Sequence, residues 1–386
     1  MIAMQETNLS KPTTAFRRIV VRSNGRLHFG LSEICPTQPN CFAGIGLMID
    51  HSIAEMEAIV SHLATPEHSP SEILIQADEY WKPRIRSFLD SYKLSRIDLL
   101  DSARFLQSVE LRASPSPHYG LGSGTQMACT LATLLQAING LHDNKQQASQ
   151  SEMSIEEILR SYEHNLAAGP KRPLRQILAE ISQRGKRSNI GLQGFIEGGF
   201  IVDHGQEYGE SGDDRQQELS TPPLRRTDRY AFPSNWPILL VQDNTSALGD
   251  SGVAELEMFE RCSYVPNAHR NAMLSLVSNE IVPALQSNDW DTFDRSLGQY
   301  GQMAGSVFKI AQGGIYRTSQ IAATVATIQK LEIKGAVQSS WGPTVSCVAR
   351  DVSHAAWCYD QLCSELPDAT VTITYAVNHS ARVYCE

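Results

Sequence analysis

Four short segments of this sequence combine glycine with hydroxyl or cationic side chains, and chemistry is to be sought there. The first is Gly120-Leu-Gly122-Ser123-Gly124-Thr125-Gln126. Closely spaced glycines permit backbone conformations closed to other residues. The run leads into the most regular helical pattern in the chain. Amide N–H groups at a helix start point at one spot, and the helix dipole adds positive potential there. Ser123 and Thr125 contribute hydroxyls. The chemistry this suits is binding of phosphate or pyrophosphate without a lysine. The loop lacks the G-K-[ST] ending of a Walker A loop, and its spacing is not that of a dinucleotide fingerprint. A tight strand-to-helix turn would use the same residue types.

The other three segments are Asn24-Gly25-Arg26-Leu27-His28-Phe29-Gly30-Leu31, Lys186-Arg187-Ser188-Asn189-Ile190-Gly191, and Gln338-Ser339-Ser340-Trp341-Gly342-Pro343-Thr344. Arg26, His28, Lys186 and Arg187 are the candidate anion contacts. Ser339, Ser340 and Gly342 form a second loop able to close against the first. Trp341 suits stacking on an aromatic ligand, or a place in the core. Asp203, Glu197 and Glu33 are candidate metal or ribose partners, with strand-end or surface roles as the alternative. No metal-ligand set follows from spacing. The cysteines are scattered with no C-x-x-C pair, so Cys129 and Cys347 read as small core hydrophobes.

The chain has 386 residues, with 33 Lys+Arg against 42 Asp+Glu and a net charge of −9. That acidity argues against a nucleic-acid binder. It does not exclude an anionic small substrate, because a site is local. Residues 16–28 hold four basic residues and no acid; residues 171–187 hold six basic residues against Glu180 alone. No run of about 18 apolar residues occurs, and the N-terminal stretch lacks a signal-peptide core. The expectation is a cytoplasmic protein without a membrane span.

The elements that must position these segments follow from periodicity. A strand is predicted over 17–29 with a turn at Asn24-Gly25, and another over 43–50. A helical pattern within 71–90 is divided by Pro83, and a strand covers 104–112. The clearest helix is 125–138, stopped by Asn139-Gly140, and another begins near Ile155 behind Ser154. Residues 189–203 read as two strands, and 205–230 as an exposed connection. A strand at 236–241 follows, then helices within 254–288, 290–308 and 318–331. Residues 337–349 read as strand, loop, strand, and 369–376 as a half-buried strand. The fold class is α+β in two domains, 16–230 and 231–386.

Taken together, the motifs resemble the GHMP kinase superfamily. Pro117-His118-Tyr119-Gly120-Leu121-Gly122-Ser123 is similar to its second motif, and Ser339-Ser340-Trp341-Gly342-Pro343-Thr344 to its third. Arg26 to Leu31, Gly120 to Gln126, Arg187 to Gly191 with Gly198 to Asp203, and Ser339 to Thr344 resemble, in that order, one branch: the β-ribofuranosylaminobenzene 5′-phosphate synthases. The resemblance implies an N-terminal domain like ribosomal protein S5 domain 2 and a ferredoxin-like C-terminal domain. It implies condensation of phosphoribosyl pyrophosphate with 4-aminobenzoate, releasing CO2 and pyrophosphate, in tetrahydromethanopterin biosynthesis. It also implies Mg2+ and a homodimer. Relative to the kinases, the loop is one residue shorter after its proline and has Gly124 in place of a second serine, which speaks against ATP phosphotransfer. The competing readings are an ATP-dependent small-molecule kinase of the superfamily and a non-catalytic binding descendant.

Overall fold

The computed structural model describes residues 16–34, 41–61, 73–95, 106–113, 119–143, 151–164, 171–205, 226–244, 262 and 265–386. Most of the expected connection at 205–230, the start of the helical stretch at 254–288, and Pro117-His118 lie outside them.

The first sheet is built on a long antiparallel ribbon, β1 (Phe16–Leu31) and β2 (Gly44–Ser61). The Asn24-Gly25 pair does not turn the chain. The register steps from Asn24↔Ser52 to Gly25↔Ile49, so Asp50 and His51 bulge out of β2 and β1 runs on. Continuation is favoured because the strand is buried on both sides of the bulge, Ile19 and Val21 in the core beneath the first sheet's helices and Leu27 and Phe29 in the core shared with the second half. Next come β3 (Leu74–Gln76) and α1 (Trp81–Ser95). The Asp78 carboxylate accepts from Trp81 N at 2.8 Å and starts this helix. Pro83 therefore falls in the first turn, where its missing N–H is not needed, and the helix is not divided. Strand β4 (Leu106–Ala113) pairs with β2 and lies parallel to β3.

Helix α2 (Ser123–Asp143) begins at the glycine loop and runs through Asn139-Gly140 rather than stopping there. Leu131, Leu134, Leu135 and Ile138 anchor it in the core. After β5 (Ser151–Met153) come α3 (Ile155–His164), which starts directly behind Ser154, and α4 (Leu174–Ser182). The first strand of the expected pair at 189–203 is a helix, α5 (Ile190–Glu197), and only β6 (Phe200–Asp203) is extended. The glycines of α5 serve close packing. A Cβ on Gly191 would lie 2.9 Å from Thr125 Cγ2, and one on Gly194 would lie 2.3 Å from Met48 Sδ. Strand β7 (Thr227–Tyr230) pairs with β6.

The second sheet is antiparallel, with order β11-β8-β10-β9: β8 (Ile238–Asp243), β9 (Val337–Gln338), β10 (Thr344–Val348) and β11 (Ala369–Thr374). Its helices are α6 (Asn267–Leu276), continuing through a π turn at Val277–Ile281 into α7 (Val282–Ser287), then α8 (Trp290–Val307), α9 (Lys309–Gln312), α10 (Ser319–Lys330) and α11 (Val352–Glu365). The final strand β12 (Arg382–Cys385) leaves this half and inserts between β1 and β5 of the first sheet. The chain end thus joins the two halves, and one buried cluster runs from Leu27 and Phe29 of β1 to Leu239 of β8 and Phe293 of α8. No described helix is long and apolar enough to cross a membrane.

Candidate active site

Strand β1 supplies the floor of the site. Residues 26, 28 and 30 share one face of the strand, spaced by about 6.6 Å per pair of residues. Arg26 N donates to Leu121 O at 2.9 Å, which ties the strand to the first glycine loop. His28 N donates to the Ser339 hydroxyl at 3.1 Å, and Ser340 N donates to His28 O at 2.8 Å, which ties it to the second loop. The loops also bind each other. Ser339 Oγ donates to Gly120 O at 2.7 Å, and Thr344 Oγ1 donates to Tyr119 O at 2.6 Å. Gly120 and Gly342 are in backbone contact: a Cβ on Gly342 would lie 2.2 Å from Gly120 N. Gly120 (φ 82°), Gly122 (φ 78°) and even Ser340 (φ 54°) adopt left-handed backbone to make this junction.

At the start of α2, the amides of Thr125 and Gln126 donate to Gly122 O at 3.1 and 3.0 Å. The earlier amides of Ser123 and Gly124 have no intrahelical acceptor, as at any helix start. A Cβ on Gly124 would meet nothing within 4 Å, so this face is open. Two expected contacts point elsewhere. Gln126 is fully buried, and its Nε2 donates to Gly191 O at 3.1 Å, so its side chain fastens α2 to α5. Ser339 is fully buried and is occupied in joining the two loops.

A cleft of about 920 Å³ runs over this junction. It brings together Arg26, His28, Lys186, Arg187, Gly120, Gly122, Ser123, Gly124, Thr125, Ser340, Trp341 and Gly342; Gln126 and Ser339 lie behind it. Arg84 and Arg184, which sequence reading did not single out, also line it. Among the described lining residues five are therefore cationic (Arg26, Arg84, Arg184, Lys186 and Arg187), and none is Asp or Glu. Gly185 (φ 88°) turns the 184–187 segment toward the cleft, and the Arg84 guanidinium is held 3.6 Å over the Tyr80 ring. Other members of the basic sequence runs are committed elsewhere. Arg18 and Arg22 pair with carboxylates across the sheet, and Arg172 pairs with Glu180.

His28 is 7% exposed, and its Nδ1 accepts from Gly30 N at 3.1 Å. That bond leaves the proton on Nε2, so the ring is a neutral donor rather than a cation. Burial, with the Arg26 charge as a second cause, holds its pKa well below the ordinary 6.5. As pH falls through that value the unfolded chain takes up a proton here and the folded protein does not, so stability declines on acidification. Urea unfolding at about pH 7.5 and about pH 5.5 should show this decline, and His28→Gln should reduce it.

The carboxylate candidates are structural. Glu33 is fully buried and ion-paired with Arg270 at 3.1 Å. Asp203 accepts from the amides of Asn189 at 2.7 Å and Gly205 at 3.1 Å. Glu197 ends α5 at the surface. Trp341 is 7% exposed, packed edge-on against Phe308 with centroids 5.2 Å apart, and still contributes to the cleft wall.

No family model matches the chain. Curated relatives named beta-ribofuranosylphenol 5′-phosphate synthase do match it. The one from Methanothermobacter thermautotrophicus is 23% identical over 334 residues, covering 86% of this chain and 88% of the relative. Those from Methanocaldococcus jannaschii and Archaeoglobus fulgidus are 24% and 21% identical, covering 73% and 76% of this chain and 76% and 79% of the relatives. This chain is a relative of these synthases.

The fold of this synthase relative is that of the GHMP kinases. It matches mevalonate diphosphate decarboxylase from Staphylococcus aureus with a TM-score of 0.58 at 12% identity, over 96% of this chain and 98% of the other. It matches homoserine kinase from Cytophaga hutchinsonii with a TM-score of 0.55 at 12% identity, over 97% and 100%. The residues lining the cleft do not fit a magnesium ion held by the protein. They include no carboxylate, and no cluster of three or more His, Cys, Asp or Glu side chains suited to a metal occurs among the described residues.

Proposed function

We propose that this protein joins phosphoribosyl pyrophosphate to a para-substituted benzoate, releasing CO2 and pyrophosphate, as a 4-(β-D-ribofuranosyl)aminobenzene 5′-phosphate synthase-type enzyme of tetrahydromethanopterin biosynthesis. The observation that carries the reading is the cleft: five cations, no carboxylate and a glycine-rich helix start, in a chain of net charge −9. Such a site suits a multiply charged anion and repels none of its charge.

The chemistry follows from the charges. The anomeric C–O bond breaks and its electron pair leaves on pyrophosphate, where Arg26, Lys186, Arg187 and the open amides of α2 stabilise it by preorganised electrostatics. The ring carbon bearing the carboxylate supplies the pair for the new C–C bond. The C–CO2 bond then breaks, and its pair restores the aromatic ring. No proton leaves that carbon, so no strong base is needed there. This fits a cleft whose central histidine is a fixed donor. No step here depends on a magnesium ion. The relatives' names specify a phenol product, which calls for 4-hydroxybenzoate as acceptor, whereas the motif resemblance implied 4-aminobenzoate. Both place an electron donor para to the attacking carbon. The resemblance also brings a homodimer into the proposal, and the sequence expectation of a cytoplasmic location stands beside it.

Incubation of the purified protein with phosphoribosyl pyrophosphate and each acid in turn tests the reading. Pyrophosphate and CO2 in equal amounts are expected. A folded protein that gives no product with either acid overturns it, and ADP formation dependent on an added alcohol would favour the kinase reading instead.

A further inference from the structure

The cleft is polarised along β1. All five cations belong to Arg26, α1 and the 184–187 segment, on the side that holds the helix start of α2. Beyond His28 the lining comes from Gly30 and Leu31, the end of α8, residues 308–316 and residues 337–342, and not one of these lining residues is charged. These parts form one lobe. Phe308 meets Trp341 edge-on, Gly305 abuts Ile315 O, and Ser340 N binds His28 O. Of the cations within or beside these stretches, Lys309 and Arg317, neither lines the cleft, and Arg317 donates from Nη1 to Trp341 O at 2.9 Å.

The described neutral polar side chains lining this lobe are His28, Gln312, Tyr316, Gln338 and Ser340, of which Gln312 and Gln338 donate to nearby backbone carbonyls. His28, more than nine-tenths buried, presents Nε2–H, because Nδ1 is occupied by Gly30 N. Tyr316 is half-buried, and its hydroxyl makes no hydrogen bond to another described residue. Burial raises its pKa, so it stays protonated and can donate or accept.

The geometry points to this uncharged lobe as the seat of the aromatic acceptor, with Tyr316 as the residue that reads its para substituent. The assignment rests on the synthase reading. In that reaction the ring carbon bearing the carboxylate faces the anomeric carbon, and the pyrophosphate lies at the cationic end. The carboxylate carbon is therefore directed toward His28, and the para hydroxyl or amino group toward the far wall at Tyr316 and Trp341.

The test is equilibrium binding to the whole protein, using 4-hydroxybenzoate, 4-aminobenzoate and inorganic pyrophosphate as separate probes. Tyr316→Phe removes one hydroxyl and preserves the ring. It should weaken both acids about 5- to 10-fold, the usual loss for one neutral hydrogen bond, and leave pyrophosphate unchanged. It should also shift the preference between the two acids, since a hydroxyl and an amino group use the Tyr316 oxygen differently. Arg187→Gln should do the reverse, weakening pyrophosphate and sparing the acids. If Tyr316→Phe weakens pyrophosphate as much as the acids, or alters neither, the lobe assignment is wrong. Wild-type turnover with an unaltered Tyr316→Phe variant would overturn this inference alone, whereas absent wild-type turnover would overturn the synthase reading beneath it.

Discussion

Gly342→Ala should disable this protein. The added Cβ would lie 2.2 Å from Gly120 N and 2.4 Å from Gly120 Cα, both backbone atoms that cannot swing aside. The mirror change, Gly120→Ala, would set a Cβ 2.2 Å from Ser339 O and force an alanine to φ 82°. Left-handed backbone alone disfavours a non-glycine residue by about 1–2 kcal/mol, and overpacking adds about 1–3 kcal/mol. The overpacking falls on both variants and the left-handed penalty on Gly120→Ala alone, so Gly120→Ala should lose about 3 kcal/mol or more of stability and Gly342→Ala about 1–3 kcal/mol, and turnover should fall at least about 100-fold in both as the loops part and the helix start loses its frame. Gly122→Ala is the graded case. Its Cβ meets only the Arg26 side chain, at 3.1 to 3.4 Å, so the cation shifts while the fold survives. Pyrophosphate affinity should fall about 10-fold with a loss of about 1–2 kcal/mol in stability. Gly124→Ala, with nothing within 4 Å, should match wild type in unfolding free energy to within about 1 kcal/mol. Calorimetric unfolding and pyrophosphate titration of the four variants give the order. Equal stability for Gly342→Ala and Gly124→Ala would show that the two loops do not interlock as described.

That interlock also marks where the sequence could be read and where it could not. Each loop was legible alone, because glycines beside hydroxyls at a helix start have few other uses. Their meeting was expected only as a possibility, since Ser339 and Gly120 lie 219 residues apart and no local pattern encodes that distance. The same limit explains the two misplaced contacts. Gln126 and Ser339 sit inside matching motifs, yet the tertiary packing of α5 and of β1 claims their side chains. Helix α5 was misread because its glycines look like strand punctuation. They are close-approach positions for Met48 and Thr125, visible only once three elements are packed. Pro83 reads as a break in the sequence alone, but capping by Asp78 moves the helix start to Trp81 and puts the proline in the first turn. Arg84 carried no signal at all. It is one arginine on an ordinary helix, and only the position of α1 beside the cleft gives it a role. The basic excess at 171–187 was half informative: Arg184, Lys186 and Arg187 line the site, while Arg172 serves an ion pair with Glu180.

Arg26 gives the second large effect, and it separates charge from shape. The residue stands at the cationic end of the β1 floor, with its guanidinium packed over Gly122 and its backbone fixed to Leu121 O. Arg26→Gln keeps much of the volume and removes the charge. Charge-assisted contacts to phosphate are worth about 1.5–3 kcal/mol, so kcat/KM for the sugar donor should drop about 10- to 100-fold with the acceptor KM little changed. Arg26→Lys restores the charge without the planar fork and should recover only part of the loss. Both effects should shrink as salt screens the partly exposed cations of the cleft. A structural readout accompanies the kinetic one. The Arg26 charge is one of the two causes that lower the His28 pKa, burial being the larger. Arg26→Gln should therefore move the His28 titration upward, part of the way toward its ordinary value, while Arg26→Lys should leave it low. NMR titration of the His28 ring measures this directly. A kinetic loss in Arg26→Gln with no movement of His28 would mean that Arg26 acts by shaping the loop at Gly122 rather than by its charge.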